Sequence, residues 1–582
     1  MSPCVTISVL IKKSTREFEH DGYLYLIKWL PWSCRYANLN FLLLQESSNV
    51  WYRHCMGYKR FDGTNMSRFL IPGFADAVFA IFFYCSTCIF GQKLLGDGDT
   101  GYHIRVGEYI LKTLSIPHVD MFSFISPPLP WTAHEWLSEV IMALIHGRFG
   151  MTGVVLFYGG MIATLYTLLF VMMRRLNGHI LVALAVVMLA ITSSMLHWLA
   201  RPHIFSLLMM VIWYGILDSY QYEGVDRLYQ LPLLMLLWVN LHGGFITGFI
   251  MLGIYVTGNL YLGRFGAQGE RGAAGTRGRR LLKISLLSLL VSLVNPSGYK
   301  ILLFPFTLVS DRYMMDQVVE FISPNFHEAS IIPFRLFLLL LLGLVACSRR
   351  PLNIIQVGLL LFFTNMALYS VRYITLFAIA AAPIAALTAD RLLNDTSGGI
   401  TTWLRRKDAA YAKIDEQARG FLWPILIVIL VLLSLRPNAA TFRFDEKLKA
   451  VAAVEFLKRE QIPGNMFDND EFGDYTIYAA WPRYHVFVDG RLDMYGSERL
   501  KEYNKVVNFE AGWESVMKKY DMNWVFYTAN SPLCRYLHDR VGWRLIYADK
   551  VANIFVRDIP LYQPLIRKYP DVKPLPPDCL PQ

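Results

Sequence analysis

Directly after the first long apolar segment lies Gly96-Asp97-Gly98-Asp99-Thr100-Gly101-Tyr102-His103-Ile104-Arg105. Ile116-Pro117-His118-Val119-Asp120 and Trp131-Thr132-Ala133-His134-Glu135-Trp136 follow it. Asp97 and Asp99 flank a glycine, so both carboxylates can face one point. Two hard oxygen donors at that spacing suit Mg²⁺ or Mn²⁺, which take few protein carboxylates plus a substrate phosphate. The same pair can instead form an Asx turn and cap the following helix. His134-Glu135 can likewise be a cap. HExxH is absent, so a zinc hydrolase is not supported.

The elements that must hold these residues are set by composition. Of 582 residues, 54% are hydrophobic and 17% charged, and mean hydropathy is +0.35. Soluble domains carry about 25% charged residues, so the deficit excludes a disordered chain, a coiled coil and an ordinary soluble enzyme. The aromatic content suits contact with lipid and its interface. Lys+Arg 56 exceeds Asp+Glu 45. In a membrane protein that excess belongs in cytoplasmic loops and does not call for nucleic acid. The eight cysteines are scattered, and Cys85 and Cys88 lie inside an apolar run, where they read as packing. Cys534 and Cys579 can pair if their region is extracytoplasmic.

A helix needs about 20 apolar residues to cross a bilayer. Apolar runs place spans near 69–90, 151–173, 179–198, 204–220, 229–240, 244–262, 282–296, 334–348, 353–370, 373–388 and 420–436, about eleven in all. The pairs around Leu241-His242-Gly243-Gly244 and Val371-Arg372-Tyr373 can each be one broken helix. Alternate loops are basic, with Arg174 and Arg175, Arg227, the Gly263–Arg280 stretch, Arg349 and Arg350, and then Arg391 to Arg419. These loops read as cytoplasmic, which puts the first loop (91–150) and the C-terminal segment outside. Gly263–Arg280 has no phosphate-loop ending and reads as a flexible connection. In the first loop, Tyr102–Leu114 and His134–Ile145 have the spacing of interfacial helices. Residues 1–65 carry no signal-peptide pattern and read as a disordered tail or an over-extended reading frame, with Met66 as a plausible start.

Ionisable residues near bilayer depth are costly and are functional suspects. Here they are Asp76, Arg201, His203, His242 and Arg372. All but Asp76 fall at outer ends of spans, on the side of Asp99 and His134. Arg201 and Arg372 can neutralise a lipid phosphate or a diphosphate leaving group; the alternative is local pairing or snorkelling. Asp76, nearer the inner face, reads as a helix-packing residue or a snorkelling end. After about 437 the chain changes character. An amphipathic helix over Asp445–Glu460 precedes short β-type runs at 465–467, 485–488, 524–527, 543–547 and 553–556, with helices between several of them. That alternation predicts an α/β domain (437–560) with a largely parallel sheet, then a Pro-rich tail (561–582). Asp468 to Tyr475 and Val488 to Asp493 are acid-rich loops after expected strands. They are either ligand loops or ordinary turn chemistry.

Asp99-x-x-Tyr102-His103-x-Arg105, just outside the first span, resembles the first-loop pattern of the catalytic subunit of oligosaccharyltransferases, in which an acidic residue is followed six positions later by arginine. More broadly, the layout resembles the GT-C glycosyltransferase superfamily, with many spans, a carboxylate-bearing first outer loop with interfacial helices, and often a soluble C-terminal outer domain. The strings D-x-D-T-G-x-H-x-R, A-H-E-W-L, R-P-H, N-x-H-G-G-F and V-F-V-D-G-R also resemble those of a group of bacterial multi-span membrane proteins.

The resemblance implies a GT-C-like polytopic α-helical membrane domain (66–436) with the extracytoplasmic α/β domain, in the plasma (inner) membrane. It implies a glycosyltransferase. Asp99 would be the first-loop carboxylate that binds the divalent cation, Mg²⁺ or Mn²⁺, or activates the acceptor, with Asp97 as its partner. Arg105, His103, His134, Glu135, Arg201, His203, His242 and Arg372 are the candidate substrate-binding residues. The donor would be a polyprenyl-phosphate- or polyprenyl-diphosphate-linked sugar, and the acceptor a glycan, lipid or protein of the cell envelope. The family's W-W-D-Y-G string has only Glu471-Phe472-Gly473-Asp474-Tyr475 as a counterpart, so glycosylation of a protein sequon is not implied. Two other classes compete. A glycolipid transporter or flippase would show inverted repeats, and no internal repeat stands out. A non-catalytic envelope assembly subunit would keep the architecture without the chemistry.

Overall fold

A computed structural model of the chain describes residues 70–418, 422–434 and 442–576. The reading of residues 1–65, the start at Met66 and the pairing of Cys579 lie outside them; Cys534 is buried in the C-terminal region.

The helices, in chain order, are α1 (Phe74–Tyr84), α2 (Asp99–Thr113), α3 (Trp136–Asn177), α4 (Ile180–Ser194), α5 (His203–Asp218), α6 (Gln230–Leu241), α7 (Ile246–Phe265), α8 (Arg271–Ser292), α9 (Lys300–Ser310), α10 (Arg312–Gln317), α11 (Ile332–Cys347), α12 (Ile354–Tyr369), α13 (Ile374–Asp395), α14 (Gly399–Asp415) and α15 (Leu422–Ser434). Among the described residues six helical segments are long and apolar enough to cross a membrane: Trp136–Leu176, Ile180–His197, His203–Glu223, Gly243–Phe265, Ala329–Cys347 and Val371–Asp395. Shorter apolar helices cover Phe74–Ile89, Gln230–Leu241, Lys300–Ser310, Ile354–Tyr369 and Leu422–Leu433. The bundle centres on α13, where Ala378, Ala380, Ala381, Ala382, Ala385 and Ala386 are fully buried. Without long side chains, neighbouring backbones approach closely, which is how helices associate where lipid removes the hydrophobic drive.

Both suspected helix breaks are present. α6 stops at Leu241, His242 is extended, and a 3₁₀ turn over Gly243–Phe245 leads into α7. α12 stops at Tyr369, and a 3₁₀ turn over Val371–Tyr373 leads into α13. The first-loop helices also form. The second of them is the start of α3, which bends at Gly150 before continuing as a span. Asp76 accepts from the Gly73 N–H at 2.8 Å and so caps α1.

The Gly/Arg-rich stretch departs from expectation. Residues from Arg271 onward are helical and continuous with the apolar run at 282–292, forming α8. Arg277 donates to Asn259 of α7 at 3.1 Å, Arg280 pairs with Asp226, and Ala274 is fully buried. These contacts hold a sequence rich in helix-weakening glycine in one helix.

The C-terminal region is built from α16 (Val451–Glu460), β1 (Asn465–Asp468), α17 (Asp470–Ala480), α18 (Leu492–Val507), α19 (Trp513–Lys519), β2 (Met522–Thr528), α20 (Pro532–Asp539), β3 (Trp543–Ala548), β4 (Ala552–Arg557) and α21 (Gln563–Lys568). The sheet order is β1-β2-β4-β3. Only β1 and β2 are parallel; β2–β4 and β3–β4 are antiparallel. The largely parallel expectation fails because the short β3–β4 connection allows only a hairpin. Asp549 at the turn accepts from the N–H groups of Val551 and Ala552 at 2.7 Å each. The run at 485–488 is not a strand of this sheet. Its Val486 exchanges backbone hydrogen bonds with Phe122 and Phe124 of the first loop.

Candidate active site

The first loop is fixed before its carboxylates are used. The Ala200 N–H donates to Leu94 O at 2.7 Å, and Thr100 Oγ1 donates to Ala200 O at 3.0 Å. The start of α2 is thereby tied to the short turn before α5. Three residues beyond Ala200 the chain enters α5 at His203, and Arg201, between Ala200 and Pro202, faces the loop. Its guanidinium fork takes one oxygen from each aspartate, with Nη1–Asp97 Oδ2 and Nη2–Asp99 Oδ2 both at 2.6 Å. Glu320, in the 3₁₀ turn after α10, approaches Nη1 at 3.2 Å, and Arg372 lies 4.0 Å from its other oxygen. Asp97 Oδ1 accepts from the Asp99 N–H at 2.9 Å. The Asx turn and the ion pair therefore coexist on one side chain.

The C-terminal region closes over this cluster. Asp474 of α17 accepts from the Gly490 N–H through Oδ1 at 3.0 Å. A Cβ added at Gly490 would lie 1.9 Å from Asp99 Oδ1 and 3.0 Å from Asp474 Oδ2. Glycine at 490 is thus what lets the two carboxylates face each other. Asp99 is 6% and Asp474 2% exposed. Burial pushes the Asp99 carboxyl up to about 7 despite the Arg201 charge. Burial, and then the charge of Asp99, push Asp474 well above the usual carboxylate range. Burial also pushes Glu320 up, but Arg201 and Arg372 outweigh it and hold Glu320 at about 2. Burial lowers Lys449, which pairs with Glu471 beside the same acids.

Two buried carboxylates that approach one point offer oxygen donors of the kind a hard divalent cation takes. Asp99 Oδ1 and Asp474 Oδ2 fit such an ion as two of its oxygen donors. Asp97 fits it less well, because one oxygen is used by Arg201 and the other by the backbone. Among the described residues no group of three His, Cys, Asp or Glu side chains forms a ready-made metal site.

The cluster opens into a cavity of about 580 Å³. Asp97, Asp99, His103, His134, Glu135, Arg201, His203, His242 and Arg372 all line it. Arg105 does not. It donates to Tyr478 O of α17 through Nε at 2.7 Å and pairs with Glu108, so it joins α2 to the C-terminal region. The structure does not bring it to the cavity with the other expected substrate-binding residues: the helical period from Asp99 puts Arg105 on another face of α2. His103 is buried and donates or accepts through Nδ1 with Glu139 at 3.1 Å; burial and Arg201 hold it well below the usual histidine range. His203 Nε2 donates to His197 O at 2.9 Å.

Sequence reasoning missed Glu320, a lone acid in Val318-Val319-Glu320-Phe321, and Lys449. It noted the acid-rich loop at Asp474 without reaching its approach to Asp99. It quoted Arg491 only as part of the Val488–Asp493 loop and gave it no role of its own. This side chain is 1% exposed, donates to Asp489 Oδ2 at 2.6 Å and to Asp120 Oδ1 at 2.8 Å, and lies 4.6 Å from the Trp131 ring centre. It clamps the V-F-V-D-G-R loop onto the first loop. The pairing of an acid and an arginine within that string was the available signal.

No protein-family model and no curated protein matches the sequence. Solved structures do. The archaeal oligosaccharyltransferase AglB from Archaeoglobus fulgidus, in complex with an inhibitory peptide and a dolichol-phosphate, superposes with a TM-score of 0.51 at 10% identity, covering 80% of this chain and 70% of that one. An oligosaccharyltransferase from the same organism in the apo form gives 0.50 at 12% identity, covering 84% and 75%. The chain has the oligosaccharyltransferase fold. The shared fold extends over most of the chain, 80% and 84% of it in the two superpositions. At such identity the likeness carries the fold and not the reaction.

Proposed function

We propose that this protein is a multi-pass plasma-membrane glycosyltransferase that moves a sugar from a polyprenyl-phosphate or -diphosphate donor to a cell-envelope acceptor on the extracytoplasmic face. The observation that carries this reading is the meeting of Asp99, Arg201, Glu320 and Asp474, from four separate parts of the chain, at one cavity of a glycosyltransferase fold. In this reading the shorter apolar helices join the long ones to give about eleven spans. The basic loops then lie in the cytoplasm and the α/β domain (437–560) lies outside.

The donor phosphate binds beside Arg201 and Arg372, whose charges neutralise it as it leaves. Asp97 and Glu320 keep the Arg201 fork aimed. A divalent cation, held by Asp99 and Asp474, would supply Lewis-acid neutralisation of the same phosphate. Closure of α17 and the Gly490 loop over the cluster excludes water, which strengthens each of these charge interactions.

The test compares envelope glycans and polyprenyl-linked sugars by mass spectrometry in a strain lacking the gene and in strains restored with wild type or Asp99→Asn. Loss of one glycan with accumulation of its lipid-linked donor, reversed only by wild type, is the expected result. Full restoration by Asp99→Asn would remove the first-loop carboxylate from the chemistry.

A further inference from the structure

The same cavity holds a second polar centre that the phosphate-binding cluster does not use. It is built on the N-x-H-G-G-F string at the α6–α7 break. Trp238 Nε1, which can only donate, gives its hydrogen bond to Ser206 Oγ at 2.7 Å. The Ser206 hydroxyl therefore directs its own proton to His242 Nδ1, 2.7 Å away. The Gly244 N–H donates to the same Nδ1 at 2.9 Å. With two donors on Nδ1, the neutral imidazole carries its proton on Nε2. Glycine at 244 is required, because a Cβ there would sit 2.5 Å from Ser206 Oγ and 2.8 Å from His242 Nδ1.

The fixed Nε2–H faces Glu135 Oε1 at 3.6 Å. His134 Nε2 lies 3.7 Å from that oxygen, and the Gly243 N–H donates to it at 3.4 Å. All three groups address Oε1. Oε2 makes no hydrogen bond to the described residues, and the side chain, 16% exposed, reaches the cavity. Burial raises the Glu135 carboxyl above its ordinary value, the direction that makes its carboxylate a better proton acceptor. Phe304 adds ring surface to a lining otherwise rich in imidazole and carboxylate. That combination suits a sugar, with its hydroxyls on polar groups and a face on the ring.

We infer that Glu135 is the general base for a carbohydrate hydroxyl acceptor, with His242 as its positioning residue; this rests on the glycosyl-transfer reading above. The acceptor hydroxyl gives its proton to Glu135 Oε2 while its oxygen lone pair bonds to the anomeric carbon of the donor sugar. The bond from that carbon to the phosphate oxygen breaks. Its electron pair leaves with the polyprenyl phosphate or diphosphate that carried the sugar, neutralised by Arg201 and Arg372. The proton passes from Glu135 to solvent on product release. The product is an acetal-linked disaccharide unit, not an N-glycosyl amide.

The experiment restores the gene-deletion strain with wild type, Glu135→Gln or Glu135→Asp. It quantifies the missing glycan by mass spectrometry, assigns its new bond by permethylation linkage analysis, and measures membrane levels of each variant. Wild type is expected to restore a sugar-to-sugar O-linkage. Glu135→Gln should cut product by about 100-fold or more, the usual worth of a general base, with the lipid-linked donor accumulating. Glu135→Asp, which keeps the charge with a shorter reach, should give an intermediate yield at wild-type protein level, and it decides the matter if Glu135→Gln does not accumulate. Wild-type yield from Glu135→Gln, or from Glu135→Asp where that variant decides, overturns the inference. So does a new bond to an amide nitrogen or to a lipid hydroxyl. Those results leave glycosyl transfer standing. A deletion strain with unchanged glycans overturns the transferase reading, and the inference with it.

Discussion

At the level of single residues, the division of labour between Asp97 and Asp99 is the main refinement. Separated by one glycine and alike in chemistry, they differ in what reaches them. Asp97 is consumed by Arg201 and by the backbone, while Asp99 keeps one oxygen turned to Asp474. A divalent cation held by Asp99 and Asp474 would bind the folded protein and not the unfolded chain, and so would stabilise it. Mn²⁺ is therefore expected to raise the melting temperature of the detergent-solubilised wild type by several degrees. The same addition should leave Asp99→Asn and Asp474→Asn unchanged, and Asp97→Asn should still respond. A differential-scanning measurement checks this; an equal rise in all four proteins would place the ion elsewhere.

Among the elements, the two broken helices matter most. Unbroken helices would carry His242 and Arg372 down the bundle; the 3₁₀ turns hold them at the cavity. At the α6–α7 break, Asn240 Nδ2 donates to Val294 O at 2.8 Å, and its Oδ1 accepts from Trp136 Nε1 at 2.8 Å. The turn is thus braced against α3, next to Glu135. Gly244→Ala is expected to disturb this turn by pushing Ser206 and His242 apart, at a cost of about 1–3 kcal/mol for an overpacked site. Lower thermal stability together with reduced product would bear this out. A silent substitution would mean that the turn relaxes freely. Hydropathy located these breaks because glycine and ionisable residues interrupt apolar runs. It misread α8, because glycine lowers local helix propensity while the contacts to Asn259 and Asp226 that hold the helix are tertiary.

Across the whole molecule, the first loop and the C-terminal region act as one unit, joined at the buried Arg491. Removing one member of a buried ion cluster leaves the remaining charges without compensation, at about 3–5 kcal/mol. Arg491→Ala should therefore loosen the α/β region. Limited proteolysis would then cut between 442 and 576 at protease levels that leave wild type intact. The same joint gives a pH response. Burial pushes Asp120 up, but Arg491 and the Ser123 and Phe122 hydrogen bonds outweigh it and hold it below its ordinary value. Its stabilisation is thus complete above the unfolded carboxyl range, about pH 4, and is lost as pH falls through the lower folded value. Protease sensitivity of wild type should rise below about pH 4. Asp120→Asn should already be sensitive at neutral pH, and an acid-insensitive wild type would remove Asp120 from the joint. Orientation is checked separately with the native cysteines replaced. Val541→Cys, at a site 97% exposed, should react with a membrane-impermeant maleimide on intact cells, and Ala267→Cys, in a basic loop, should not.

The sequence alone determined that the chain crosses a membrane, roughly where its apolar helices run, and that Asp97, Asp99, Arg201, His242 and Arg372 gather near one end of them. Apolar length, loop charge and the cost of burying ionisable groups are local properties, and they survive without knowledge of neighbours. Which oxygen of which aspartate is free, that Asp474 faces Asp99, that Arg105 is turned to Tyr478, and that Glu135 meets a tautomer-fixed His242 were decided only by tertiary structure. Each depends on two segments far apart in sequence approaching within a few ångströms. Gly490 and Gly244 make two of those approaches possible, and nothing in their own neighbourhood of sequence says what they make room for.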